Sequence, residues 1–395
     1  MKKIAVVTVA RSDYGVYRPL LKQIVAAPDM TLSLIVAGMH LMPAFGHTID
    51  EILADGFEAA AKVELDLGAD SPSDIAHAMG QATIGFADAY AALKPDLVLV
   101  LGDRFEMHAA TVAAVPFLIP VAHLDGGALT LGAIDDAFRH SMTKLAHLHF
   151  VETEAYAARV IQMGESPERV FTVGALGLDN LAAVQLLNAE QIAAGFKVTI
   201  DPARPPLLVT FHPVTREYQE TRVHMTALLA AIQESGHPAI FTYPNADTGG
   251  RVIIEMIEDF VAKEPDAQAV PHLGTQGYFS VMAQAAAMLG NSSSGIIEAA
   301  SFKLPVVNIG RRQEGRFAPP NVLTVETDES EILGAIAKAV SPQFRKSLRF
   351  IENPYGDGHA AERIIDALRG LNVRDPDLIA KPFHDLPPAS RHRAR

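Results

Sequence analysis

The chain alternates short, unbroken apolar runs with longer amphipathic segments, and it does so twice over its 395 residues. In the first half, apolar runs at residues 4–9, 32–37, 96–101, 120–124, 148–151 and 170–173 predict strands. The intervening segments 17–26, 73–93, 105–115, 135–145 and 155–163 carry helical spacing. Strands apolar on both faces, separated by helices, fit parallel sheets covered on both sides. The rhythm restarts at 207–211, 239–243, 268–270, 288–289, 306–309 and 322–325, with helical patterns at 221–233, 251–263, 277–286, 296–302 and 329–340. The expected fold class is α/β with two Rossmann-like domains. The expected bounds are 1–178 and 179–358, then a helix over 359–370 and a tail over 371–395, the linker falling between 178 and 199. The Pro-rich stretch 201–206 reads as a stiff lead-in to the second sheet. From 382 onward, His, Arg and Pro with little apolar content predict an exposed or mobile arm.

Composition removes several function classes. A net charge of −13 argues against a nucleic-acid partner, which needs a basic surface. No cysteine is present, so disulfides and thiolate-held metals are excluded, which fits a cytoplasmic protein. No metal-ligand spacing stands out, and no apolar run is long enough to span a bilayer. The opening Met1-Lys2-Lys3 and apolar run meet Arg11, Ser12 and Asp13 without a cleavage-site pattern, so they read as a first strand. No Gly-x-Gly-x-x-Gly follows that strand and no Walker A sequence occurs, so a dinucleotide cofactor is not expected.

In open α/β sheets, ligands bind beyond the carboxyl ends of the strands. The residues there are rich in Asp, His, Arg and Ser. The first domain offers Arg11-Ser12-Asp13, Gly38-Met39-His40, Gly102-Asp103-Arg104 and His123-Leu124-Asp125. The second offers His212-Pro213, Asn245-Ala246-Asp247, Gly290-Asn291-Ser292-Ser293-Ser294-Gly295 and Arg311-Arg312. A Ser- and Gly-rich turn entering a helix presents unpaired N–H groups and suits a pyrophosphate. It is also an ordinary Ser N-cap. The other residues have plain structural readings too. Asp103 can cap a helix, Asp125 can shape a turn before Gly126-Gly127, and Asp135 and Asp136 can be first-turn acids. Arg139 and His140 can pair with those acids one turn back. His123 can be a satisfied core histidine.

Taken in order, these segments, with Ile134-Asp135-Asp136, Arg139-His140-Ser141 and Phe211-His212-Pro213-Val214-Thr215, resemble the UDP-N-acetylglucosamine 2-epimerase family. The match runs from Ile4 to about Leu368 and is nearest the hydrolysing branch, which serves nonulosonate (sialic- or legionaminic-acid-type) synthesis. The resemblance implies a glycosyltransferase-B-type fold with a deep interdomain cleft, the last helix crossing back to the first domain, and a homodimer. It implies anti elimination of a nucleoside diphosphate from a 2-acetamido sugar, then hydration to the free manno-configured sugar. No cofactor, metal, nucleic acid or membrane is implied, and the substrate is UDP- or GDP-linked. Carried over residue by residue, Asp103, Asp125, Asp135, Arg139 and His212 take catalytic positions. Arg11, Ser292, Ser293, Ser294, Gly295 and Arg312 face the diphosphate, and Glu298 the ribose. Asp13, His40, Arg104, Asn245 and Asp247 line the site.

Two departures mark this chain. Relatives carry Glu or His where it has Asp125, and many carry Glu where it has Ala128. Either the substrate differs near the ring, or Asp125 takes over, or catalysis is impaired; an altered sugar substituent is favoured, with a 2,4-diacetamido-6-deoxy sugar the leading candidate besides N-acetylglucosamine. A glycosyltransferase on the same architecture and a non-catalytic sugar-nucleotide sensor are the competing readings. Three first-domain acids favour the epimerase, because sugar transfer needs only one base.

Overall fold

The computed structural model describes residues 1–43, 46–66, 71–131, 134–214, 219–244 and 250–386. The chain divides into two units: Met1–Asp179 with Gly358–Arg395, and Asn180–Asp357. The first unit holds β1 (Lys2–Thr8), β2 (Met30–Ala37), β3 (Ala59–Val63), β4 (Leu97–Leu101), β5 (Val121–Leu124), β6 (Leu148–Val151) and β7 (Val170–Thr172). They form one sheet in the order β3-β2-β1-β4-β5-β6-β7, every pair parallel. The second unit holds β8 (Leu207–Thr210), β9 (Ala239–Thr242), β10 (Ala267–Val270), β11 (Ala287–Gly290), β12 (Val306–Ile309) and β13 (Val322–Val325). Its sheet runs β10-β9-β8-β11-β12-β13, again all parallel.

Both orders are the doubly wound Rossmann order. Each reverses direction at its first strand, between β1 and β4 and between β8 and β11, which is where such sheets bind ligands. The unbroken apolar strands follow from covering both faces. In the second sheet, Val209, Phe241, Leu289 and Val307 enter one core, while their neighbours Leu208, Ile240, Met288 and Val306 enter another. Each such side chain contributes roughly 1.5–3 kcal/mol when fully buried.

Several elements differ from the sequence-based expectation. The first helix begins at Arg11, not 17, and runs to Ala26. Gly15 and Pro19 weaken its helical signal, yet Tyr14, Tyr17, Leu20, Leu21 and Ile24 form one buried stripe. Strand β3 carries no continuous apolar signal, because its Ala-rich sequence sits half-exposed at the sheet edge. Within the segment expected to be linker, Leu178–Ala183 and Ala189–Phe196 are helices, the second opened by an Asn188–Gln191 capping box.

The helix Ala360–Gly370 belongs to the first unit. The Asp179 carboxylate accepts from Ala360 N at 2.9 Å and Ala361 N at 2.7 Å, capping its start. Ile364, Ile365 and Leu368 then enter the first core. The tail is less free than expected up to residue 384. Lys381 Nζ donates to the carbonyls of Lys144 and Ala146 at 2.6 and 2.7 Å, and His384 N donates to Gly164 O at 2.9 Å. Among the described residues, no helix is long and apolar enough to cross a membrane.

Candidate active site

At the first unit's reversal point, β4 ends at Leu101 and Gly102 turns the chain with φ +76°. Asp103 follows. It does not cap the next helix, Phe105–Ala114, whose N-cap is Arg104. Its carboxylate instead forms an ion pair with Arg139 Nη2 and accepts from Thr130 Oγ1 at 3.2 Å. Arg139 sits in the second turn of the helix Asp135–Leu145 and is buried. Its Nη1 also donates to Asp125 O at 2.7 Å. One guanidinium therefore joins the loop bearing Asp103, the loop bearing Asp125 and the helix opened by Asp135. This replaces the local helix-surface pairing that spacing alone allows for Arg139. Only His140 follows that pattern, 3.5 Å from Asp136.

Asp135 is half-buried, and burial followed by the Asp103 charge pushes its pKa up, against Arg104 and Arg139. Asp136 serves structure, accepting from Thr130 N at 2.9 Å. Asp125 holds a left-handed conformation with φ +63°, so the turn-forming reading also applies to its backbone. Its charge and that of Asp13 bear on Tyr17, whose hydroxyl is buried with no hydrogen-bond partner among the described residues. Arg104 makes a two-point pair with the fully buried Glu106 at 3.0 and 3.2 Å.

Asp13 and His40 are consumed by the scaffold. The Asp13 carboxylate accepts from Val9 N at 2.8 Å, Ala10 N at 2.7 Å and Thr8 Oγ1 at 3.1 Å, closing the turn after β1. Burial raises its pKa to about 6 against those hydrogen bonds. His40 is fully buried between Thr8 and Thr48, at 2.9 and 2.7 Å, and burial lowers its pKa to about 4. Arg11 is exposed and lies 3.5 Å from Glu51.

At the second unit's reversal point, the ends of β8 and β11 are locked together. Asn291 accepts from His212 N at 2.7 Å and donates to His212 O at 2.9 Å. Gly290 permits this approach: at φ +127°, a Cβ there would lie 2.0 Å from Thr210 O. Arg312 and Gln313 both donate to Asn291 O, at 3.0 and 2.8 Å. Ser292 caps the helix Ser293–Ile297, and Ser294 Oγ lies 2.9 Å from both Ser292 Oγ and Tyr278 Oη. That helix has five residues and passes into a 3₁₀ turn, Ala299–Phe302, so its dipole is short. An anion at this turn would be held by individual N–H and hydroxyl groups rather than by a helix dipole. Gly295 packs closely, since a Cβ would lie 3.0 Å from Val306 Cγ1.

Glu298 follows, with Oε2 sealed from solvent and unpartnered among the described residues. Burial pushes its pKa up to about 7. Beside this turn lies a cavity of about 360 Å³ lined by Ile296, Asn308, Gln313, Arg316 and Glu326 among others. Asn245 and Asp247 lie outside the described residues. Glu106, Thr130, Tyr17, Asn291 and Tyr278 join these networks without a distinct signal of their own in the sequence, although Asn291 stands inside the Ser-rich segment and Glu106 two residues past Arg104.

Two Rossmann units, one with paired acids and arginines at its reversal point and one with hydroxyl and amide donors, have the architecture of the glycosyltransferase-B fold type. The family model described as UDP-N-acetylglucosamine 2-epimerase matches residues 22–369. The chain is 39% identical to "UDP-N,N'-diacetylbacillosamine 2-epimerase (hydrolyzing)" of Legionella pneumophila, over 96% of this chain and 98% of that one. It is 36% identical to "GDP/UDP-N,N'-diacetylbacillosamine 2-epimerase (hydrolyzing)" of Campylobacter jejuni, over 98% and 99%. The solved UDP-GlcNAc 2-epimerase of Neisseria meningitidis, bound to UDP-GlcNAc, shares the fold with a TM-score of 0.78 at 18% identity, covering 93% of this chain and 100% of that one. The chain belongs to the UDP-N-acetylglucosamine 2-epimerase family, and within it is a hydrolysing nucleotide-sugar 2-epimerase.

Proposed function

We propose that the substrate is a UDP-linked 2,4-diacetamido-6-deoxy sugar, released as the free manno-configured sugar and UDP. The observation that carries the proton-transfer chemistry is the first unit's acid cluster, with Asp103 held on Arg139 and Asp135 pushed up by burial and by Asp103. One carboxylate with a cationic partner beside another held closer to its protonated form suits combined electrostatic and acid–base work. The relatives from Legionella and Campylobacter, named for a sugar of this substitution, support the substituents.

The chemistry runs in two stages. A carboxylate takes the carbon 2 proton while the bond from carbon 1 to the diphosphate oxygen breaks, leaving a 2-acetamidoglucal and UDP. Water then adds its hydroxyl to carbon 1, and carbon 2 regains a proton on the opposite face. Both stages are redox-neutral, so no electron carrier is called for. The carbon 2 proton is weakly acidic, so cleavage at carbon 1 runs ahead and the ring gains oxocarbenium character, which nearby carboxylates stabilise. Asp103, Asp125 and Asp135 are assigned to that set and Arg139 to holding it.

In the second unit, the Ser292–Gly295 turn and Arg312 are assigned to the leaving diphosphate. Such a preorganised donor contributes about 3 kcal/mol to the barrier. Glu298 is assigned to the ribose, His212 to the diphosphate and reacting sugar, and the neighbouring cavity to the base. Ala128, buried in the first unit, is assigned to the side of the site that faces the extra acetamido group. The working state proposed is a cytoplasmic homodimer, to be checked by light scattering.

The test compares kcat/KM for the UDP-linked 2,4-diacetamido-6-deoxy sugar and for UDP-N-acetylglucosamine. A preference of at least about tenfold for the former is expected. Equal or better use of UDP-N-acetylglucosamine would overturn the assigned substituents.

A further inference from the structure

The first unit contains a fully buried histidine that the chemistry above does not use. His123, in β5, has no exposed surface, and burial, helped by the charges of His149, Arg139 and His140, lowers its pKa to about 3 against the Gly102 hydrogen bond. Its Nε2 lies 2.8 Å from Gly102 O and its Nδ1 lies 3.1 Å from Thr143 Oγ1. A carbonyl oxygen only accepts, so Nε2 carries the proton and donates to Gly102. In the neutral ring Nδ1 is then the acceptor, and the Thr143 hydroxyl donates to it. Both hydrogen bonds have a fixed direction.

The partners are informative. Gly102 immediately precedes Asp103. Thr143 is fully buried in the helix Asp135–Leu145, two turns beyond Asp135 and one beyond Arg139. The third contact is steric. A Cβ on Gly126, the residue after Asp125, would lie 3.2 Å from both His123 Nδ1 and Thr143 Oγ1, so a side chain there would crowd this hydrogen bond, and His123 itself stands two residues before Asp125 in the same segment.

We propose that His123 is a positioning residue for the reaction: with Thr143 it ties together the three segments that carry Asp103, Asp125, and Asp135 with Arg139. Arg139 joins the same three segments from one side, and the imidazole joins them from within the core. The side chains of the acids thereby acquire a common backbone reference. The inference rests on the assignment of these acids to the ring chemistry.

The experiment measures kcat, KM and UDP affinity for Thr143→Val, Thr143→Ser, His123→Gln and His123→Leu, and for the double variant His123→Leu with Thr143→Val. Thr143→Val keeps the shape and removes the donor, and it is expected to lower kcat about 10- to 100-fold with KM and UDP affinity within about twofold. Thr143→Ser restores the donor and most of kcat. His123→Gln keeps a donor toward Gly102 and retains more kcat than His123→Leu. The double variant is no worse than His123→Leu, because both remove one linkage.

Unchanged kcat in Thr143→Val overturns the proposal. So does a loss that Thr143→Ser does not rescue, or a parallel loss of UDP affinity, since either marks a general packing defect. If His123→Leu fails to fold, the two threonine variants and His123→Gln still decide the matter. Asp103→Asn, measured alongside, separates the two failures. Full turnover in that variant removes the acid assignment, whereas its loss together with active Thr143→Val removes only the role of His123.

Discussion

The two units share one strand order and one reversal point, yet those reversal points carry different chemistry. In the first, charge is paired with charge: Asp103 with Arg139, and Arg104 with Glu106. In the second, the ends of β8 and β11 carry mainly uncharged groups, Asn291 bonded to His212 and Ser294 bonded to Ser292 and Tyr278, with Arg312 donating to Asn291 O; the Arg311–Glu326 pair lies further along the sheet, and Glu298 is pushed to about 7 by burial. Uncharged donors suit holding an anion without moving protons, while carboxylates in unequal environments suit moving them. The scaffold supplies the location and the residues at the strand ends supply the division of labour.

If that division holds, variants of the two ends should fail in different ways. The largest effect is expected for Asp103→Asn, about a thousandfold in kcat with UDP affinity nearly unchanged, read by steady-state kinetics and calorimetry. Arg139→Met should follow, at about a hundredfold in kcat, because the three segments it joins lose their shared donor. It should also cost about 2 kcal/mol in denaturant unfolding, since Asp103 stays behind without its cation. UDP affinity should again be spared.

Glu298→Gln should act on the other side of the comparison. The Glu298 pKa of about 7 lies above the ordinary 4.5. The folded state therefore binds more protons than the unfolded one between these values. Its contribution to stability is full below about pH 4.5 and is lost as pH rises through about 7. The ribose contact proposed for Glu298 uses its ionised carboxylate, so on that proposal UDP affinity should strengthen about tenfold from pH 6 to 8, and Glu298→Gln should flatten both profiles. The smallest effect is expected for Ser292→Ala, which removes an N-cap and should cost about 1 kcal/mol in stability with a few-fold loss of UDP affinity.

The two sheets were legible in the sequence because a parallel strand covered on both faces must be apolar without interruption, as β4 and β8 are. Strand β3 was not, since an edge position asks less of its side chains. The helix Ala189–Phe196 was hidden in a segment read as linker, although its capping box was present. At the site, sequence order placed Asp103, Asp135 and the Ser-rich turn at strand and helix ends. It gave no means of telling that the Asp13 carboxylate closes its own turn or that His40 is spent on two threonines. The pairing of Asp103 with Arg139 spans 36 residues and depends on strands β4 and β5 lying side by side, which only the folded topology supplies.

The central claim is that carboxylates of the first unit remove and replace the proton on carbon 2 as the diphosphate departs. The most direct measurement is proton NMR of the reaction in deuterium oxide with the UDP-linked 2,4-diacetamido-6-deoxy sugar and no acceptor. The account predicts one equivalent of UDP and a free manno-configured sugar carrying deuterium at carbon 2. Release of the sugar with its original proton at carbon 2, or turnover only after an acceptor is added, would contradict it.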